Sequence, residues 1–351
     1  MGLRTYIIKR LIYSFILILL VIVINFTIFF AMPGDPYTAF ANPQRFTQEQ
    51  EELIRRFWGY YDPWHIKLLK YINNLLRWEF GLSVRTRGPV GQEMMARLPW
   101  TLYLVGSSTV IAVIVGVLLG VVVAHRRGGI FDTSNVTFSL IVSSLPTFWI
   151  GLVLVLIFSK TLGWFPHALP YPQEWGSPTI PFPQPITSNV ATQGMLSIMI
   201  NIDPVETLRY IGGYLSHSIL PILTLTLFQY GSFLLLTRAV MLEVLTEDYV
   251  TTARAKGVDE KAVLFKHALK NASLPIVTQA ALYFGGIIGG AIITETVFSW
   301  PGMGTWIFDA ITNNNYPVLM ASFYVLALTM IVAILIADML YGVLDPRIRY
   351  G

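Results

Sequence analysis

The sequence contains no cysteine, and only 13% of its 351 residues are charged. The lack of cysteine excludes disulfides, thiolate metal sites and cysteine nucleophiles. A soluble domain carries about 25% charged residues, so this composition, with 54% hydrophobic residues, indicates a membrane protein. The formal net charge of +4 is too small and too dispersed for a nucleic-acid-binding protein.

The sequence also lacks the Gly-x-x-x-x-Gly-Lys-Ser/Thr motif that cradles nucleotide phosphates. The chain therefore has no Walker-type phosphate-binding loop of its own, and energy for any nucleotide-driven process must come from elsewhere.

Six long apolar runs divide the chain. Apart from His217 they contain no Asp, Glu, Lys, Arg or His, and each has 24 to 28 residues, whereas a transmembrane helix needs about 20. We predict an all-α membrane protein with six transmembrane helices, and we expect the first run to be a retained helix because it is too long for a signal peptide. The runs cover residues 11–34, 98–124, 133–159, 210–237, 271–294 and 310–337.

The positions of lysine and arginine predict the orientation. With the N-terminus inside, 13 of the 24 basic residues are cytoplasmic, and nine of the other eleven lie in one long segment, residues 33–97. Both termini are therefore expected in the cytoplasm. We divide the chain into an N-terminal helix (1–32), an external segment (33–97) and a core (98–351) with an external insertion (160–209) and a cytoplasmic loop (238–270).

Local signals within the cytoplasmic loop predict two short helices joined by a hinge. Thr246 is a potential N-cap for the first helix, which would end before Gly257, the residue type best suited to a left-handed position. Asp259 is a potential N-cap for the second helix. That helix would bury three apolar residues and leave three lysines in water: Val263, Leu264 and Ala268, against Lys261, Lys266 and Lys270.

This loop resembles the segment by which permease subunits of ABC importers contact their ATPases, in the form found in the dipeptide and oligopeptide permease family. The general consensus begins Glu-Ala-Ala where this chain has Thr251-Thr252-Ala253, a departure typical of the peptide branch. Further matches are Pro33-Gly34-Asp35-Pro36, the stretch from Glu295 to Gly304, and the stretch from Asp338 to Arg347. The residues that the resemblance assigns to ATPase coupling are Glu247, Asp248, Tyr249, Thr252, Ala253, Arg254, Ala255, Lys256 and Gly257.

The resemblance implies a type I ABC importer permease in the cell membrane. Its expected partners are a second homologous permease, two ATP-binding subunits and an extracytoplasmic substrate-binding protein. ATP and magnesium would bind to the ATPase subunits, and this chain would bind no cofactor and no metal and would catalyse no reaction itself.

Glu295 follows the fifth run, where an isolated carboxylate is costly unless water or a donor reaches it. We predict an outer gate formed by Glu295, Pro301, Gly302 and Gly304. The alternative is that Glu295 forms a salt bridge or caps the backbone of the turn that follows.

Two external regions have their own patterns. Within 33–97, apolar spacing predicts two amphipathic helices lying on the membrane or on the partner permease. The segment from Trp164 to Ile186 is rich in proline and aromatic residues, and it would either dock the binding protein or form an ordered cap. His217 would either bind substrate or protons, or satisfy a nearby carbonyl.

The substrate implied by the resemblance is a peptide, and oligosaccharides are the alternative. A self-sufficient secondary transporter or channel is the alternative from another class. Such proteins usually place ionisable groups or broken helices near the bilayer midplane, and here the runs are nearly free of charge.

Overall fold

The computed structural model describes residues 3–30, 47–172, 204–289 and 291–344. These residues are almost entirely helical, with one isolated antiparallel bridge between Leu82 and Pro89. Two matched stretches, Pro33–Pro36 and 345–347, lie outside the described residues. The helices are α1 (Leu3–Phe30), α2 (Gln48–Phe57), α3 (Trp64–Leu76), α4 (Val90–Thr101), α5 (Ser107–His125), α6 (Ile130–Ser144), α7 (Thr147–Leu154), α8 (Pro204–Val244), α9 (Asp248–Ala255), α10 (Glu260–Ala262), α11 (Leu269–Gly285), α12 (Ile292–Val297), α13 (Met303–Thr312) and α14 (Tyr316–Leu344).

Short π-helical stretches lengthen three of these helices. Leu102–Gly106 joins α4 to α5, Val155–Thr161 extends α7, and Val263–Ala268 joins α10 to α11. The first junction produces one apolar helical unit of 36 residues, Val90–His125. The second helix of the cytoplasmic loop is therefore the beginning of the helix that continues to Gly285, and not a separate short helix.

Four helical units in the described part are long and apolar enough to cross a membrane, and a fifth is added if a bent pair counts as one span. The bent pair is α6 and the helix that begins as α7, and the chain bends by 105° between them. Leu145 is extended there (φ −83°, ψ 141°), as expected for a residue before proline. The fifth apolar run is also interrupted, because α11 ends at Gly285 after 17 residues. The six-span count stays a prediction.

The centre of the fold is the contact between α5 and α8. A Cβ on Gly116 would lie 2.6 Å from Cβ of Phe233, and one on Gly120 would lie 2.6 Å from Cβ of Thr237. Small residues thus let the two helices approach closely, as is common between helices in membranes.

The helices α2 and α3 lie in the segment 33–97, where the sequence predicts two amphipathic helices, and part of their apolar surface packs on this chain. Tyr71 and Leu75 are buried in a cluster with α1 and α14. Within this cluster Asn25 donates hydrogen bonds to the Tyr71 hydroxyl (3.0 Å) and to the Met320 carbonyl (2.9 Å). The chain's own helices therefore cover Tyr71 and Leu75, whereas Leu53 and Leu69 are exposed, and placement of these helices on the membrane or on the partner permease stays a prediction.

Candidate functional site

The loop predicted to be cytoplasmic, residues 238–270, includes the last turns of α8. The Thr246 hydroxyl donates a 2.7 Å hydrogen bond to the Glu243 carbonyl in the last turn of α8. It therefore does not cap α9, whose N-cap is Glu247 with extended backbone and no side-chain hydrogen bond. The predicted Thr246 cap is wrong, because the preceding helix uses its hydroxyl.

The end of α9 has the predicted geometry. Gly257 has φ +74°, and the Gly257 and Val258 amides donate to the carbonyls of Arg254 (2.9 Å) and Ala253 (3.2 Å). These two bonds form a Schellman motif, which reverses the chain at the end of a helix. The Asp259 carboxylate then accepts from the Lys261 amide at 3.1 Å, which confirms it as the second N-cap.

One face of α9 is buried and the other is exposed. Val250 and Ala253 pack with Val263 in a small apolar cluster that joins α9 to the helix beginning at α10. Ala253 thus faces this chain, whereas the other residues assigned to ATPase coupling are exposed. The exposed set is Glu247, Asp248, Tyr249, Thr252, Arg254, Ala255, Lys256 and Gly257.

An ion pair crosses the hinge between α9 and α10. Arg254 Nη2 lies 2.8 Å from Glu260 Oε1, and Nε lies 3.2 Å from Oε2. Hydrogen bonding within this pair raises the pKa of Arg254 and lowers the pKa of Glu260. His125 Nδ1, at the end of α5, lies 3.6 Å from Glu260 Oε1. Glu260 therefore connects the hinge to α5, and sequence reasoning missed this role because His125 is far from Glu260 in the chain.

A second ion pair fixes α6 to α8 near the same loop. Arg238 Nε and Nη2 lie 2.7 and 2.8 Å from the two carboxylate oxygens of Asp132, whose side chain is only 5% exposed. The Gly128 amide also donates to Asp132 Oδ2 at 2.9 Å. Sequence reasoning missed this pair too; the available signal was one acidic and one basic residue, each at the edge of an apolar run.

Glu295 lies in α12 and is completely buried. The predicted orientation places it on the opposite side of the membrane from the cytoplasmic loop. The Thr101 hydroxyl donates to Oε1 at 2.8 Å and the Thr305 amide donates to Oε2 at 3.0 Å. A Cβ on Gly302 would lie 2.5 Å from Oε1, and one on Gly304 would lie 2.9 Å from Oε2. The carboxylate thus holds the turn that contains Pro301, which supports the backbone-cap alternative. The outer gate stays a prediction.

The described part of the proline and aromatic segment is held by this chain. The Leu169 amide donates to the Phe298 carbonyl at 2.9 Å, and the Leu169 carbonyl lies 2.9 Å from His217 Nδ1. Tyr171 packs on Trp100, with ring centroids 5.8 Å apart. His217 therefore contacts a carbonyl, as one of its two predictions stated. Residues 173–186 lie outside the described residues, and docking of a binding protein there stays a prediction.

The family described as binding-protein-dependent transport system inner membrane component matches residues 116–350, which include both ion pairs, the cytoplasmic loop and Glu295. This chain belongs to that family. The N-terminal component described for the same transport systems matches residues 3–105 of the permease.

Named relatives match nearly the whole permease. The oligopeptide transport system permease protein AppB of Bacillus subtilis is 36% identical over 346 residues, which cover 98% of this chain and 99% of that protein. The di/tripeptide transport system permease protein DppB of Pseudomonas aeruginosa is 35% identical and covers 94% of both chains. The glutathione transport system permease protein GsiC of Escherichia coli K12 is 35% identical, over 98% of this chain and 99% of that protein. These matches confirm the resemblance to the dipeptide and oligopeptide permeases.

Proposed function

We propose that this permease is a transmembrane subunit of an ATP-driven importer and forms half of a pathway for di- and oligopeptides. The observation that carries the proposal is the exposed face of α9, a short helix fixed at its end by Gly257 in the segment matched to the family. The cargo follows from the relatives, since the names of all three refer to peptides or to glutathione, itself a tripeptide.

The proposed assembly contains a second related permease, two ATPase subunits that bind ATP and magnesium, and an external substrate-binding protein. The chain crosses the cell membrane six times with both ends in the cytoplasm. The apolar helices and the family support a multi-pass membrane protein, and the distribution of basic residues supports the orientation.

The contacts around α9 suggest how ATPase movement reaches the membrane. The Val250 cluster and the Arg254–Glu260 pair attach α9 to the helix that continues as α11. The Asp132–Arg238 pair attaches the end of α8 to α6. A displacement of α9 would therefore move several membrane helices together, as rocking between inward and outward states requires.

The test is uptake by the complete complex in proteoliposomes, with labelled dialanine and trialanine as substrates and the cognate binding protein outside. We expect uptake to need ATP on the ATPase side and the binding protein on the other side. The control is the same complex with a catalytically inactive ATPase subunit. Uptake by the permease without ATP would support a secondary transporter or channel instead, and uptake of maltotriose but not of either peptide would overturn the assigned cargo.

A further inference from the structure

A polar cavity of about 190 Å³ lies between the segment before α4, α4 itself and α13. By the predicted orientation it faces the outside of the cell. Its walls carry two arginines and two carboxylates, and these are Arg85, Arg97, Glu93 and Asp309. No residue of the cytoplasmic loop lines the cavity, and Glu295 does not line it either, although its charge acts on Arg97.

Both carboxylates in the wall already have donors. Trp306 Nε1 donates to Glu93 Oε2 at 3.0 Å, and the Thr86 hydroxyl donates to Glu93 Oε1. Asp309 forms an ion pair with Arg85 and accepts from Asn313 Nδ2 at 3.1 Å. The amide of Asn315 is also used, since it donates to Ser83 and accepts from the Val84 amide.

Arg97 differs from these neighbours. It is half-buried and lies one helical turn after Glu93, a spacing at which opposite charges often pair. Among the described residues its guanidinium has neither a hydrogen bond nor an ion pair, although Glu93, Asp309 and Glu295 are near enough to attract its charge. A guanidinium carries five N–H donors in a planar fork that matches a carboxylate. The guanidinium of Arg97 therefore lines the cavity without a hydrogen-bond acceptor among the described residues.

We propose that this cavity binds a carboxylate group and that Arg97 is its ion-pair partner. A cavity of about 190 Å³ is several times the roughly 30 Å³ that one water occupies in the liquid, so a carboxylate and a few adjoining atoms fit. The source of the carboxylate rests on the proposed function: it is the free C-terminus of a peptide or an acidic side chain of the binding protein.

The test measures how fast phenylglyoxal modifies Arg97 in the complete complex in nanodiscs, with each arginine followed by mass spectrometry. The first arm adds trialanine or its C-terminal amide, and the second adds the peptide-free binding protein. A ligand at ten times its dissociation constant leaves about one tenth of the sites free, so the rate at Arg97 should fall about tenfold. Arg77, an exposed arginine in the same external segment, is the matched control and should react at an unchanged rate.

Protection by trialanine but not by its amide supports the proposal and assigns the site to the peptide C-terminus. Protection by the binding protein alone supports the proposal and assigns the site to an acidic side chain, and this protection should disappear in variants of that protein lacking acidic residues on its docking face. Equal protection by trialanine and its amide, no protection in either arm, or an Arg97 that does not react in the empty complex would overturn it. The readout uses neither ATP nor transport, so a failure of ATP-driven uptake would be seen separately.

Discussion

Gly257 is the residue on which the shape of the cytoplasmic loop most depends. Its φ of +74° is in the left-handed region, where a side chain with a Cβ costs roughly 1–2 kcal/mol. A Cβ at this position would meet no other atom within 4 Å, so the cost of a substitution comes from the backbone alone. A substitution at Gly257 therefore tests backbone strain without adding a steric collision.

We predict that Gly257→Val uncouples ATP hydrolysis from transport or prevents assembly, because a β-branched residue strains the turn that sets the direction of α9. Gly257→Asn is the matched control, since asparagine tolerates the left-handed conformation better than other residues with a Cβ. The measurement is the number of ATP molecules hydrolysed per peptide transported. Normal coupling in the assembled valine variant would show that the turn does not matter.

The buried carboxylate of Glu295 accepts one hydrogen bond on each oxygen. In Glu295→Gln one oxygen becomes an NH₂ group, so the amide can accept from Thr101 or from the Thr305 amide but cannot replace both carboxylate oxygens. Leaving one buried group unsatisfied costs about 1–3 kcal/mol. We expect a lower melting temperature of the purified complex with little change in the ATPase activity stimulated by the binding protein. A normal melting temperature with altered stimulation would favour the gate.

At the level of single helices, the sequence correctly predicted the helix ends that depend on a few neighbouring residues. The end of α9 at Gly257 and the cap at Asp259 are defined by neighbours within four positions, and both are confirmed. The Arg254–Glu260 pair and its contact with His125 depend on how three helices pack. The sequence could not indicate this, because many exposed charges in the loop were equally available.

The helix breaks in the third and fifth apolar runs could not be predicted from the length of the runs. Apolar length predicts a span, but it does not report the backbone direction at Pro146 or the end of a helix at Gly285. A Cβ on Gly285 would lie 2.6 Å from Met330 Sδ, so the absence of a side chain at this position lets α14 approach closely. What was missed is that α11 also ends there.

The Asp132–Arg238 pair gives a prediction about how α6 and α8 are joined. Because Asp132 is buried, either single variant, Asp132→Asn or Arg238→Gln, leaves an uncompensated charge or loses two charge-assisted bonds. We expect each to lower the melting temperature and the coupling of ATP hydrolysis to transport, and the double variant to be less damaging than the sum of both. A coupling energy on the order of 0.5–3 kcal/mol is expected for such contacts, and strictly additive effects would contradict a direct pair.

At the scale of the whole molecule, the orientation can be tested because the chain has no native cysteine. We predict that a cysteine replacing Lys261 is cytoplasmic and that one replacing Arg77 is external, and both native side chains are exposed in the structure. An impermeant maleimide added to intact cells should label the second variant and not the first until the membrane is opened. The opposite pattern would reverse the proposed topology.

In the proposed complex, partner ATPases drive this permease through the exposed face of α9. The most direct measurement is cysteine cross-linking between Thr252→Cys and single cysteines on the ATPase surface, in a complex whose other subunits lack cysteine. Lys266→Cys, exposed on the neighbouring helix, is the control. We expect cross-links from position 252 whose yield changes when ATP binds, and much weaker cross-links from position 266. An intact, transporting complex with no cross-link from Thr252→Cys, or from cysteines at Tyr249 and Lys256, would contradict this proposal.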